Sequence, residues 1–350
     1  MNKRTLTKIA AGVLVLALSL QGGATLYSYA KEATVAADQA QSAVAAATSE
    51  SAPAPSVQAG QEQAFSEQQT IALQEATAAQ ETIAVQEAIA EREVIAEQQA
   101  IAAAAASIRL SDEVLQAIRL SEPQAYERNS GNYTYFLAEF NVHEEYRAKL
   151  DAMLLSGSRL PDVLTAYDYV YRQFGSFADV ERLLAARQSG RTWTELFAAY
   201  QRDAQPFVPQ AFDSDYLEEL MNSPELTADD IMIADQISFK TGTPVAELIT
   251  AKLEGTDSGW RESCAVAGLL FSGESLPRVT VTGEQLKKHA QAAVMSEEQV
   301  VEAFVLANKL GQQGEAVITK LKQGSTEASL YEEAYAGKYG ASTPREEAQS

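Results

Sequence analysis

The chain has 350 residues, room for two ordinary domains, and its 27 Lys and Arg against 48 Asp and Glu give a net charge of -21. That balance argues against nucleic acid as a partner, because affinity for phosphate backbones comes largely from cations that displace counterions. The 46% hydrophobic share overstates the core, since 61 residues are Ala, which buries little area and suits exposed helices as well as buried ones.

Residues 1–30 have the layout of an export signal: a charged start (Lys3, Arg4, Lys8), an apolar run from Ile9 to Leu20, and a tail of small residues. Ala24 after Gly22, or Ala30 after Ser28, satisfies a small-x-small cleavage rule, and Ala30 is preferred because charge resumes at Lys31. The competing reading is an uncleaved membrane anchor over residues 9–30, weakened by Gln21-Gly22-Gly23. Either way the chain beyond is expected to be extracytoplasmic, secreted or associated with the envelope. Membrane contact is expected only through residues 9–30, if they stay in place.

Residues 31–107 predict a stalk. They hold 26 Ala, one aromatic (Phe65) and a net charge of -9, too little apolar bulk to offset the entropy of forming a globule. Six hexads run from Ile71 to Ala106, each opening with Ile (once Thr) and Ala. Their fifth positions carry Glu75, Glu81, Glu87, Glu93 and Gln99, which would point charge into a β-helix, so that fold is rejected. On an α-helix, a six-residue step turns about 240° past a full circle and forms no single apolar stripe, so the expectation is a solvated helical spacer or a disordered one.

The foldable part begins near residue 108, because 24 of the 27 aromatics follow residue 107. A capped amphipathic helix is expected over Ser111–Leu120, and Arg128-Asn-Ser-Gly-Asn132 reads as a turn. Tyr133/Tyr135 alternation suits a strand, whereas Phe136 and Phe140 suit a helix.

Residues 141–341 then repeat themselves three times, as about 141–210, 211–280 and 281–341, and 342–350 reads as a disordered tail. The first element appears at 161–175, 228–242 and 297–311, and the second at 180–190, 245–255 and 314–324. Val163, Ile231 and Val300 correspond, as do Ala166, Ala234 and Ala303, and Tyr169, Ile237 and Leu306. In the second element Leu183, Leu248 and Val317 correspond, then Leu184, Ile249 and Ile318. Steps of three and four predict helices, closed by left-handed caps at Gly190, Gly255 and Gly324. A third helix is opened by Trp193, Trp260 and Leu330. The predicted class is therefore all-α: a leader, a stalk and three helical repeats.

The order of helix, Gly and Trp resembles a helical module of exported bacterial proteins of unassigned function, in which a Lys-x-x-Gly turn precedes a Trp that opens the next helix. Lys252-Leu-Glu-Gly255 with Trp260 matches best, then Arg187-Gln-Ser-Gly190 with Trp193; the third copy departs with Leu330. The resemblance implies architecture only.

Chemical signals are sparse. Cys264 is alone and reads as a buried small hydrophobe. His143 and His289 stand in charged surroundings that favour solvated faces. Glu144-Glu145, Glu218-Glu219, Asp229-Asp230 and Glu297-Glu298 point about 100° apart on a helix and read as first-turn or solvated charges, not paired catalytic acids. Trp193 and Trp260 read as wedges between helices, since the third copy accepts Leu330. No residue is assigned a catalytic, cofactor-binding or metal-ligating role, and no cofactor is implied. The expected function is a non-enzymatic interaction or scaffold protein of a bacterial envelope, binding a protein or a cell-wall component. The alternatives are a cell-wall hydrolase, an inhibitor of one, or a membrane-anchored sensor.

Overall fold

A computed structural model describes the backbone of residues 13–17, residue 92, and residues 95–255, 259–292 and 295–340. The rest of the leader, the stalk before this point and the 342–350 tail lie outside the described residues. The chain divides into two units: among the described residues, one holds residues 13, 92 and 95–100, and the other holds residues 14–17 and those from Ile101 onward. In the first, residues 95–100 are helical and exposed; in the second, residues 101–107 are helical.

The second unit is mostly helical, with few strands. Its helices are α1 (Asp112–Ser121), α2 (Tyr126–Glu139), α3 (Glu144–Leu155), α4 (Leu160–Arg172), α5 (Phe177–Gln188), α6 (Trp193–Asp203), α7 (Ser214–Asn222), α8 (Ala228–Thr241), α9 (Val245–Glu254), α10 (Arg261–Val266), α11 (Gly283–Ala292), α12 (Glu297–Leu310), α13 (Gly314–Lys322) and α14 (Glu327–Tyr339). β1 (Val13–Ala17), inside the apolar run of the leader, pairs with β2 (Arg278–Thr282) in a two-stranded sheet. No helix among the described residues is long and apolar enough to cross a membrane.

The segments that the sequence sets in parallel are helical: α4, α5 and α6; α8, α9 and α10; α12, α13 and α14. Every apolar position matched between copies is buried, from Val163, Ile231 and Val300 to Leu184, Ile249 and Ile318. Thr227 and Ser296 cap α8 and α12, and α5, α6 and α14 also start with reciprocal caps at Ser176, Thr192 and Thr326.

Copies one and three share one core with α1–α3, whereas copy two builds a second core around Ile233, Ile237 and Trp260. α6 packs against α14, where the Thr194 amide and hydroxyl both donate to Glu332. Copy two is joined to copy one by a bridge between Ser176 and Leu269 and by Phe174 stacked on Phe271, with ring centroids 4.3 Å apart.

Four local expectations need correction. Arg128–Asn132 is not a turn: α2 runs through it, and burying Asn129, Tyr133 and Phe136 on one face outweighs the weak helix preference of Asn, Ser and Gly. Gly190 and Gly324 are left-handed as expected, but Gly255 is extended, with φ -67° and ψ 144°. Leu330 does not open the third helix, because Thr326 starts α14 one turn earlier. β2 interrupts the helical pattern where copies two and three meet, its Val279 and Val281 pointing inward with a period of two.

Candidate functional site

The Trp positions belong to two equivalent buried clusters. In copy one the Trp193 indole donates to Asp162 at 3.2 Å, Arg187 lies 3.4 Å from the same oxygen, and its guanidinium covers the Trp193 ring. In copy two Trp260 donates to Asp230 at 2.8 Å, Lys252 lies 3.2 Å from that oxygen, and its ammonium covers the ring. The cation three residues before the Gly thus reaches back to an acid in the first turn of the preceding repeat helix and roofs the following Trp. Burial works against the Asp230 carboxylate, but Thr227, the Trp260 indole and Lys252 together hold its pKa below the ordinary range. Copy three has Gln299, Leu321 and Leu330 at these positions, so the cluster is lost as a whole.

The remaining singled-out groups also face partners inside the fold or open solvent. Cys264 is fully buried, which pushes its thiol up to about 12. Glu144 meets Arg261, Glu145 meets Lys149 and Asp229 meets Arg278, whereas Glu218, Glu219, Glu297 and Glu298 are exposed. The solvated-face reading of the histidines needs correction. His289 is buried, 2.8 Å from Glu315, because α11 packs on α12, where the Phe304 ring meets the imidazole edge. His143 accepts from the Glu145 amide, capping α3, and its other ring nitrogen lies 3.0 Å from Glu262.

A polar centre that the sequence reading missed lies where α4 meets α14. Asp168, fully buried, accepts from Arg172 at 2.5 Å, Tyr339 at 2.7 Å, Lys338 at 3.1 Å and Tyr335 at 3.3 Å. Burial opposes its charge, but Arg172, Lys338 and the Tyr339 hydroxyl hold its pKa below the ordinary carboxylate range. Burial and the neighbouring Asp168 push the Tyr335 and Tyr339 phenols far up, so both remain donors. One signal was available: Tyr331, Tyr335 and Tyr339 recur every fourth residue and form a stripe along α14.

Lys338 leads from this centre to the surface. Its ammonium also donates to Glu139 of α2 at 2.8 Å and lies over the Phe140 and Tyr339 rings. Above it, Asn132, Tyr135, Phe136, Glu139, Lys338 and Tyr339 line a groove of about 220 Å³. The α2 residues share a face because they fall at steps of three and four. The Glu139 Oε2 atom in that wall is covered and has no donor. The groove offers the exposed Tyr135 ring, a carboxamide and a carboxylate whose charge is matched by Lys338. Among the described residues, no group of three His, Cys, Asp or Glu side chains is placed to hold a metal ion.

No family model, curated protein or solved structure matches the chain.

Proposed function

We propose that the protein is a non-enzymatic interaction or scaffold protein of a bacterial cell envelope, holding a body of helical repeats on a spacer. The observation that carries this reading is the internal use of the repeats' polar chemistry: both Trp residues and their acids are spent on the Asp–cation–Trp clusters, and Asp168 is spent on joining copies one and three. What remains for a partner is surface, as expected of a repeat body that presents a broad face. The export-type leader and the coreless stretch over residues 31–107 support the placement outside the cytoplasmic membrane.

The test mixes the purified protein with isolated cell walls, then measures co-sedimentation and release of soluble wall fragments. The protein is expected to sediment with the walls and release nothing. Soluble fragments would replace the scaffold reading with a hydrolase. Protein left in the supernatant, together with no envelope protein crosslinked to it in cells, would remove the interaction reading.

A further inference from the structure

We infer that the groove between α2 and α14 is a binding subsite for one ring of a neutral saccharide. Its size sets the first limit. About 220 Å³ lies below the ~300–1,000 Å³ of pockets that enclose drug-sized ligands, so a single ring fits and a folded peptide segment does not.

Charge sets the second limit. Glu139 and Asp168 are matched by Lys338 and Arg172, and Lys338 already donates to both carboxylates. Among the described residues, no uncompensated cation is left at the groove for a phosphate or a free carboxylate, and no uncompensated anion for a free amine. A ligand that brought a net charge would have to break the Lys338 contacts.

The remaining groups match hydroxyls and a flat apolar face. Tyr135 keeps 37% of its surface exposed although it is a large aromatic, and Phe136 and Tyr339, both buried, form the floor beneath it. Aromatic rings with one wet edge suit partners that are apolar on one side and polar on the other. Asn132 both donates and accepts, and Glu139 Oε2 lacks a donor. A hydroxyl beside Asn132 can pair with its carboxamide while the Glu139 carboxylate stays on Lys338. A pyranose ring carries these features together: C–H groups on one face and hydroxyls around its edge.

The inference deepens the envelope reading, which supplies the choice of probe. Calorimetric titration of the full exported chain would use the N-acetylglucosamine tetramer and cellotetraose, with glycine and inorganic phosphate as ionic comparisons. At least one tetrasaccharide is expected to bind. Tyr135→Ala should weaken that binding about tenfold or more, the loss of one aromatic platform. Met221→Ala, an exposed apolar substitution on α7, should leave it unchanged, and unchanged thermal melts would show that both variants fold. The proposal is overturned if neither sugar binds at millimolar concentration, if Tyr135→Ala binds as tightly as the parent, or if glycine or phosphate binds there instead. Walls that retain the protein while both tetrasaccharides fail would reject the groove and spare the scaffold reading; the opposite pattern would do the reverse.

Discussion

Asp230 serves two partners and a helix start at once, accepting from Trp260 and from the backbone and side chain of Thr227 while lying 3.2 Å from Lys252. Removing one member of a buried ion pair costs far more than replacing the whole pair, because the surviving charge keeps its desolvation penalty. Asp230→Ala should therefore lower stability by about 3–5 kcal/mol in urea unfolding. The double variant Asp230→Gln with Lys252→Leu, which copies the third repeat, should cost distinctly less, since Gln still caps the helix and accepts from the indole. An equal or larger loss in the double variant would refute the pairing. Cys264 offers a second check at this scale. A thiol pushed up to about 12 by burial is protonated at pH 8, so a thiol reagent should label it at the rate of unfolding and reach full rate only in denaturant. Much of this was legible in the sequence: the Trp, Trp, Leu series already indicated buried bulk. The acid was not read, because Asp162 and Asp230 look like ordinary first-turn carboxylates until the loss of all three partners in copy three is considered.

At the scale of elements, legibility followed the strength of the periodic signal. Positions matched across three copies identified core faces, because a column that is apolar in each copy carries the same packing demand three times over. α2 occurs once, and local chemistry misled: Asn, Ser and Gly favour turns, yet Tyr133, Phe136 and Phe140 gain more by burial on one helical face. The consequence is a helix with a weak centre. Gly131 lies inside α2, and a Cβ added there would meet nothing within 4 Å, so Gly131→Ala should stabilise the protein by about 0.5–1 kcal/mol, read as a higher urea midpoint at unchanged slope. A loss of stability would mean that Gly131 is required by packing after all. At the end of α4 the balance is reversed. Phe174 takes a left-handed φ of 53° where copies two and three place Gly242 and Gly311, and its full burial against Phe271 offsets the strain. Gly175 beside it has no room to change, since a Cβ there would meet Val170 at 2.5 Å.

For the whole molecule, the helical class was legible and the packing of the helices was not. Copies one and three share a core although copy two separates them in sequence, because the Tyr stripe of α14 seats on α4 and α6 through Asp168, Tyr169 and Phe197. Contacts this far apart in the chain leave no mark on local periodicity. The candidate groove was illegible for the same reason, being assembled from α2 and α14, which stand at opposite ends of the folded part. Asp168 makes this closure dependent on pH. Its folded-state pKa is depressed below the unfolded value of about 3.9. Its contribution is therefore complete at pH above that value and fades as pH falls through it toward the folded value. Asp168→Asn should lose about 3 kcal/mol at neutral pH, where Arg172 and Lys338 lose their shared buried carboxylate. The gap between parent and variant melting temperatures should narrow steadily below about pH 4, as the parent's own carboxylate takes up its proton. A gap of constant size from neutral to acid pH would show that Asp168 joins the copies by shape alone and not by charge.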